Sequence, residues 1–236
     1  MVNILGFDIY NCSKNEYVDE LMKRLSRGER AIIISGNPEV LYNAKSNSDV
    51  LGLCNEADII PDGIGVLIAA KLTGQKITEK IAGIDVMEDI MKASEKHGMS
   101  FYFLGAEDWV VKKAAKLSSE KYNVNVKGFH NGYFDINNCQ YIIDDINKSG
   151  SNVLLAAMGA PRQEIFISKY KNALNCSLLM GVGGSFDVLA GKVNRAPQWM
   201  IKLGLEWLYR VSCEPWRIKR LISIPKFLLR VLFSQK

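Results

Sequence analysis

Short apolar runs alternate with amphipathic stretches along most of the chain. The runs are apolar on both faces, which is typical of strands buried in a parallel sheet. We predict strands at residues 4–9, 31–35, 101–104, 124–127, 153–158 and 177–182. Between them, apolar residues recur at helical spacing, and we predict helices at residues 14–25, 65–72, 86–96, 109–121 and 141–147. This alternation predicts an α/β fold, a Rossmann-like and largely parallel layered sheet with flanking helices.

The last forty residues depart from this alternation, because their pattern is helical throughout and contains no further strand. Residues 195–236 carry nine Lys and Arg against two acidic side chains, whereas residues 1–194 carry a net charge of −2. Such an asymmetry indicates that the two parts contact different partners. We therefore expect an α/β catalytic domain at residues 1–194 and a basic, amphipathic helical appendage at residues 195–236.

Composition excludes several protein classes and indicates the compartment. With 48% hydrophobic residues in 236, the chain is long enough to bury a core and too apolar to be disordered. The N-terminus lacks the features of a signal peptide, and no apolar run approaches the roughly 18–20 residues that cross a bilayer. An odd number of cysteines without CxxC pairs predicts free thiols in a reducing, cytoplasmic environment and argues against a zinc site: Cys12, Cys54, Cys139, Cys176 and Cys213.

Glycine and polar clusters follow four of the predicted strands, where ligands bind in parallel sheets. The clusters are Ser35-Gly36-Asn37-Pro38, Leu104-Gly105-Ala106, the segment 159–164 (GAPRQE) and the segment 181–187 (GVGGSFD). Glycine lets backbone amides approach a ligand, and a following helix N-terminus favours phosphate. We expect a nucleotide or sugar-phosphate site. The GxGxxG and GxxxxGK[ST] motifs do not occur, which disfavours NAD enzymes and P-loop NTPases.

One carboxylate stands out as candidate chemistry. Asp62 lies between a proline and two glycines in the segment 60–66 (IPDGIGV), at the mouth of a predicted helix. It either caps that helix or, because its neighbours leave it open, acts on a substrate. His97 and His130 lie in no metal-ligand or triad spacing, and no Asp-x-Asp pair occurs. We therefore expect neither a metal nor another cofactor, and leaving-group charge would be offset by amides, a helix dipole or arginines.

Six motifs in register resemble one family over nearly the whole chain. They are PDGIGVLIAAKLTG, TEKIAGID, HNGYF, AMGAPRQE, GVGGSFDVLAGKVNRAP and GLEWLYR…EPWR. Together they resemble the WecG/TagA/CpsF glycosyltransferases. The resemblance implies an inverting, metal-independent transfer of N-acetylmannosamine from UDP-ManNAc to the 4-hydroxyl of GlcNAc-diphospho-undecaprenol, in wall teichoic acid linkage-unit synthesis. UDP-ManNAc uronic acid or UDP-glucose remains open as the donor, and so does a non-catalytic scaffold role.

The resemblance also assigns roles to residues. Asp62 corresponds to the family's general base, and Ser35 and Asn37 correspond to its Thr-x-Asn sequence, whose hydroxyl and amide suit a donor sugar. Lys80 stands where the family usually has arginine, so it keeps the charge but lacks the bidentate fork. The remaining substrate-binding expectations are Gly105, Tyr133, Arg162, Gln163, Gly183, Gly184 and Asp187. For Tyr133 and the glycines, a purely structural role stays open.

The basic tail is expected to meet a membrane. Residues 215–233 interleave large apolar side chains with five cations, a composition that suits the interface of an anionic leaflet better than nucleic acid. Packing as an ordinary helix on the body is the alternative. The resemblance implies that arginines of this appendage reach the active site and offset charge on UDP, here Arg210, Arg217 and Arg220. We expect a peripheral protein on the inner face of the cell membrane, with homo-oligomerisation possible.

Overall fold

The computed structural model describes residues 1–215, 218 and 222–234, and its strands form one sheet. The strands are β1 (Val2–Ile4), β2 (Phe7–Ile9), β3 (Ala31–Gly36), β4 (Asp58–Pro61), β5 (Ser100–Gly105), β6 (Asn125–His130), β7 (Val153–Ala157) and β8 (Leu178–Gly181). The helices are α1 (Lys14–Ser26), α2 (Pro38–Ala44), α3 (Ser48–Glu56), α4 (Ile64–Leu72), α5 (Gly83–Ala93), α6 (Asp108–Tyr122), α7 (Gln140–Ser149), α8 (Arg162–Tyr170), α9 (Ser185–Leu189), α10 (Gln198–Lys202), α11 (Glu206–Cys213) and α12 (Ser223–Phe233).

The sheet is parallel except at one edge. Its strand order is β1-β2-β4-β3-β8-β7-β5-β6, and only the β1–β2 pair is antiparallel. The carboxyl ends of β2 to β8 therefore meet at one edge of the sheet. The predicted α/β class with a largely parallel sheet and a helical C-terminal region is confirmed.

Helices cover both faces of the sheet and bury two apolar layers. One layer includes Leu41 of α2, Phe166 of α8 and Phe227 of α12. The other includes Met87 of α5 and Phe186 of α9. The neighbouring strands β3 and β8 thus send their following helices, α2 and α9, to opposite faces. Ligands bind beside such a topological switch point in open α/β sheets.

Two predictions about strands need correction. The run at residues 4–9 is a hairpin, because Leu5 and Gly6 adopt φ values of 55° and 83° and reverse the chain between β1 and β2. The strand β4 was not predicted, because it has only four residues, begins with an aspartate and ends with a proline, and both residue types are rare in strands. Tertiary contacts stabilise it, since Arg24 Nη1 donates to Asp58 Oδ2 at 2.7 Å.

The C-terminal region contacts the body at several described places. Arg195 donates from both terminal nitrogens to the Asp85 carboxylate of α5, at 2.6 and 2.9 Å. Farther on, α12 packs against α2 and α4 and buries Phe227 and Val231. Within the described residues, no helix is long and apolar enough to cross a membrane. A boundary between residues 194 and 195 stays a prediction.

Candidate functional site

A cavity of about 320 Å³ opens at the switch point, beyond the carboxyl ends of β3, β4 and β8. Residues of the body and of the C-terminal region both form its wall. The predicted site residues that line it are Ser35, Asn37, Asp62, Lys80, Gln163, Gly183, Gly184 and Arg210. These positions are widely separated in sequence, and the parallel sheet brings them together.

Asp62 follows β4 directly and does not cap the next helix. The N-cap of α4 is Gly63, at a φ of 88°, and no side chain makes its cap hydrogen bond. Instead, Asp62 Oδ2 accepts a hydrogen bond from the Gly83 backbone N–H at 3.2 Å, at the start of α5. The positive φ at Gly63 turns the chain into α4 without a side-chain penalty. Asp62 therefore does not cap α4; it accepts the first backbone N–H of α5 instead, and its carboxylate lines the cavity.

The environment of Asp62 raises the pKa of its carboxyl group above the usual aspartate value. Burial raises the pKa of Asp62, and the nearby Glu206 carboxylate raises it further. The Gly83 N–H, the Lys80 charge and a hydrogen bond with Ser35 oppose this shift, and the net pKa lies above the usual value for aspartate. A carboxylate with a raised pKa accepts a proton more readily than an exposed one, which suits a general base.

Lys80 and Glu206 form an ion pair in the cavity wall. Their Nζ and Oε2 atoms lie 3.7 Å apart, and both side chains are largely buried. Lys80 was predicted from the sequence as a site residue, whereas Glu206, the first residue of α11, was not. Its signal was the GLEW motif, whose glutamate lies far from Lys80 in sequence. Only the docking of α11 shows that the two charges face each other.

Ser35 and Asn37 line the cavity at the end of β3. The Asn37 side-chain carbonyl accepts from the Val40 N–H at 3.0 Å and caps α2. The amide oxygen keeps a second lone pair and the amide nitrogen is a donor, so both ends of this side chain can contact a ligand. Gly83 is needed beside Ser35, because a Cβ there would lie 2.5 Å from Ser35 Oγ. The close approach of α5 to β3 therefore depends on that glycine.

Gln163 and Gly183 also line the cavity and are joined by a hydrogen bond. The Gly183 backbone N–H donates to Gln163 Oε1 at 3.0 Å, and Gln163 is only 4% exposed. The Gly183–Gly184 turn therefore presents backbone to the cavity beside a fixed side-chain amide. Backbone and amide N–H groups at such a turn can bind phosphate or sugar oxygens.

The C-terminal region supplies one further wall, formed by residues from α11 and α12. Arg210 lines the cavity together with Trp207, Val211 and Ile224. Of the three tail arginines predicted to act on UDP, the structure therefore brings Arg210 to the cavity. Arg217 and Arg220 lie outside the described residues.

Tyr133 and Arg162 line a separate depression beyond β5 and β7. Arg162 Nη2 donates to the carbonyls of Phe134 and, at 3.2 Å, of Gly132. These bonds order the 131–135 loop, and Tyr133 is 75% exposed beside it. Arg162 thus already has partners within the protein, and its contact with a donor stays a prediction.

The structure also places Gly105 and Asp187 outside the described lining of the main cavity. A Cβ on Gly105 would lie 2.4 Å from the Ala157 backbone, so the close packing of β5 and β7 requires this glycine. Asp187 Oδ1 lies 3.6 Å from Lys192 Nζ. Among the residues that the structure describes, no three potential metal ligands cluster. Metal independence stays a prediction.

The chain is similar to known proteins over nearly its whole length. The model of the glycosyl transferase WecG/TagA/CpsF family matches residues 2–236. A relative from Bacillus subtilis (strain 168), an N-acetylglucosaminyldiphosphoundecaprenol N-acetyl-beta-D-mannosaminyltransferase, is 35% identical over 229 residues, covering 96% of this chain and 89% of the relative. A Staphylococcus aureus (strain NCTC 8325 / PS 47) protein of the same name is 31% identical over 238 residues, covering 100% and 93%. A Bacillus spizizenii protein of that name is 34% identical over 214 residues, covering 90% and 82%.

Proposed function

The chain belongs to the WecG/TagA/CpsF family of glycosyltransferases, and from that premise we propose its reaction. It transfers N-acetylmannosamine from UDP-ManNAc to the 4-hydroxyl of GlcNAc-diphospho-undecaprenol, in wall teichoic acid linkage-unit synthesis. The observation that carries the proposal is the position of Asp62. Its carboxylate lines a glycine-walled cavity, has a raised pKa and does not cap α4, the helix that follows it in sequence.

Asp62 acts as the general base of an inverting displacement. It takes the proton of the acceptor 4-hydroxyl while that oxygen attacks the anomeric carbon on the face opposite the diphosphate. The new bond joins the acceptor oxygen to the anomeric carbon, and the bond to the diphosphate oxygen breaks with its electron pair on UDP. The Gly83 N–H donates to Asp62 Oδ2 and holds the carboxylate in place while it takes the proton.

Cations and backbone amides offset the charge that develops on UDP, so no metal takes part. Lys80 and Arg210 line the cavity as the positive side chains of its described wall. The Gly183–Gly184 turn adds backbone N–H groups, and fixed donors of this kind stabilise a leaving diphosphate without reorganisation. Ser35, Asn37 and Gln163 bind the donor sugar. Arg217 and Arg220 of the tail complete the charge around the diphosphate.

The outer face of the C-terminal region docks on the anionic inner leaflet. In α12, Phe227 is buried against the body, whereas Leu229 and Phe233 are 53% and 70% exposed. Trp199 and Leu203 of the preceding segment are 59% and 64% exposed. Large apolar side chains next to Lys and Arg suit the bilayer interface. Docking there brings the cavity to its polyprenyl-linked acceptor.

A donor screen tests the proposed reaction. Full-length protein is incubated with a short-chain prenyl-diphosphate-GlcNAc acceptor, EDTA and one of three donors: UDP-ManNAc, UDP-ManNAc uronic acid or UDP-glucose. Mass spectrometry should show one N-acetylhexosamine added, with UDP-ManNAc as the donor. Transfer from either other donor alone would overturn the donor assignment, and loss of transfer with EDTA would overturn metal independence.

A further inference from the structure

A buried carboxylate that the proposed mechanism does not use lies directly behind Gln163. Glu164, in the first turn of α8, is only 1% exposed. Its Oε1 accepts a hydrogen bond from Gln163 Nε2 at 2.8 Å. Its Oε2 is buried and has no hydrogen-bond partner among the described residues. The side chain that Glu164 contacts by a hydrogen bond, Gln163, is therefore part of the cavity wall.

Keeping this carboxylate buried costs stability. Burial raises the pKa of Glu164 to about 7, and the Glu39 carboxylate of α2 adds to the shift. A buried carboxylate with an unsatisfied oxygen is destabilising compared with an apolar side chain of similar size. The packing of α8 therefore does not explain why a glutamate is buried at position 164. Its hydrogen bond with Gln163 does.

The contacts of the Gln163 amide define a single orientation. Its Oε1 accepts from the Gly183 N–H, and its Nε2 donates to Glu164. If the Gln163 amide were flipped, its NH₂ would face the Gly183 N–H, another donor, and its carbonyl oxygen would face the Glu164 carboxylate, another acceptor. Both hydrogen bonds would then be lost. The amide also lies close against β8, where a Cβ on Gly181 would be 2.7 Å from Nε2. Donor, acceptor and packing thus hold the group in place.

We propose that Glu164 is a positioning residue of the donor site and acts through Gln163. Its carboxylate holds the Gln163 amide so that the second Nε2 hydrogen remains for an oxygen of the bound sugar donor. The same orientation keeps Oε1 on the Gly183 N–H and so fixes the turn that faces the diphosphate. This inference rests on the proposed function, since it assumes that Gln163 contacts the donor.

A double-mutant cycle in the full-length protein tests it. Glu164→Met removes the acceptor but keeps an unbranched stem, and Gln163→Ala removes the group that Glu164 positions. We expect each single variant to raise the KM for UDP-ManNAc about tenfold, the effect of losing one fixed hydrogen bond. The double variant should be no worse than Gln163→Ala, because Glu164 has nothing left to hold. Additive effects in the double variant would overturn the inference.

Two further variants separate positioning from a structural role. Glu164→Gln keeps a carbonyl acceptor for Nε2, so its KM should return to within about threefold of wild type. Ile167→Val, at a buried apolar position on the same helix, should lower the unfolding midpoint without changing the KM. Glu164→Met should instead raise the unfolding midpoint while raising the KM. A lower midpoint with an unchanged KM would show that Glu164 is merely structural.

The cycle also distinguishes the failure of this inference from the failure of the proposed function. If Gln163→Ala leaves the KM unchanged, Gln163 does not contact the donor, and the donor site itself is assigned wrongly. If Gln163→Ala raises the KM but Glu164→Met does not, the donor site stands and only the positioning role fails.

Discussion

The backbone N–H of Gly83 points at the carboxylate of Asp62, 3.2 Å away. This bond joins the end of β4 to the start of α5, and it turns the carboxylate away from the helix that follows it in sequence. The carboxylate consequently lies in the cavity between the body and the C-terminal region. We expect this contact between Gly83 and Asp62 to affect the rate of transfer, its pH dependence and the stability of the protein.

Replacing Asp62 by asparagine should separate catalysis from binding. The amide oxygen of the asparagine can still accept from the Gly83 N–H but takes up no proton, so kcat should fall about 10²–10⁴-fold. UDP affinity, measured by titration calorimetry, should stay within about twofold. A variant that keeps most of its turnover would exclude Asp62 as the base and would favour a scaffold role.

The same substitution should not destabilise the protein at neutral pH. The folded-state pKa of Asp62 is raised, so the folded state binds its proton more tightly than the unfolded chain does. Stability is therefore lost as pH rises from the ordinary aspartate pKa through the raised one. Asp62→Asn should raise the unfolding midpoint at pH 7 and give no such gain at about pH 3, where both states are protonated. A lower midpoint at pH 7 would contradict the assigned shift.

Glu206 should control the pH at which the enzyme becomes active. Its negative charge raises the pKa of Asp62, so Glu206→Gln should move the acidic limb of kcat/KM to lower pH. Lys80→Met should move it to higher pH, because the lysine charge lowers that pKa. Glu120→Gln, at an exposed position on α6, is the control and should leave the limb in place. If the acidic limb of the kcat/KM profile lies at the same pH in all variants, ionisation of Asp62 does not limit the rate.

Lys80 should contribute to donor binding through its charge. Lys80→Met should weaken UDP binding, with about a tenfold rise in Kd for one charge-assisted contact. Lys80→Arg restores the fork that the family usually has at this position and should bind UDP at least as tightly as wild type. Titration calorimetry measures both. Unchanged affinity in Lys80→Met would mean that the Glu206 ion pair, and not the diphosphate, is its partner.

Two phenylalanines of α12 should behave in opposite ways. Phe227 is fully buried, so Phe227→Ala should cost about 3–5 kcal/mol of unfolding free energy, measured by urea denaturation. Phe233 is 70% exposed, so Phe233→Ala should leave that free energy unchanged. It should, however, weaken binding to vesicles that contain anionic lipid, measured by sedimentation. Equal vesicle binding by wild type and Phe233→Ala would exclude this end of α12 from the membrane contact.

The tail shows why a composition can support two interpretations at once. Its sequence suits both a membrane-docking helix and a helix packed on the body. In the structure, α12 packs against α2 and α4 through Phe227 and Val231, while Leu229, Leu232 and Phe233 remain exposed. The helix α12 thus packs on the body and still leaves exposed the apolar surface that a membrane would contact. Hydrophobic periodicity alone could not assign these side chains to one surface or the other, because large apolar residues occur on more than one face of the helix.

Local pattern was sufficient to predict the fold class and to single out Asp62, which the structure places in the cavity wall, whereas its role as a base came from the family resemblance and stays a prediction. The alternation of buried strands with amphipathic helices indicates a parallel sheet, since burial on both faces selects strands of that composition. A carboxylate between proline and glycine is visible in sequence because these residues restrict the backbone around it. By contrast, β4 was missed, since its stability depends on distant partners of Asp58, such as Arg24.

Sequence by itself therefore determined the layered architecture, the family and eight of the residues that line the cavity. Tertiary structure alone decided which of them meet. It joined Asp62 to Gly83, set Glu206 of the tail against Lys80, and placed Tyr133 and Arg162 at another depression. The physical reason is that pKa values and ion pairs depend on distances of a few ångströms between segments far apart in the chain. Those distances are set by how helices dock on the sheet, which no local pattern of residues records.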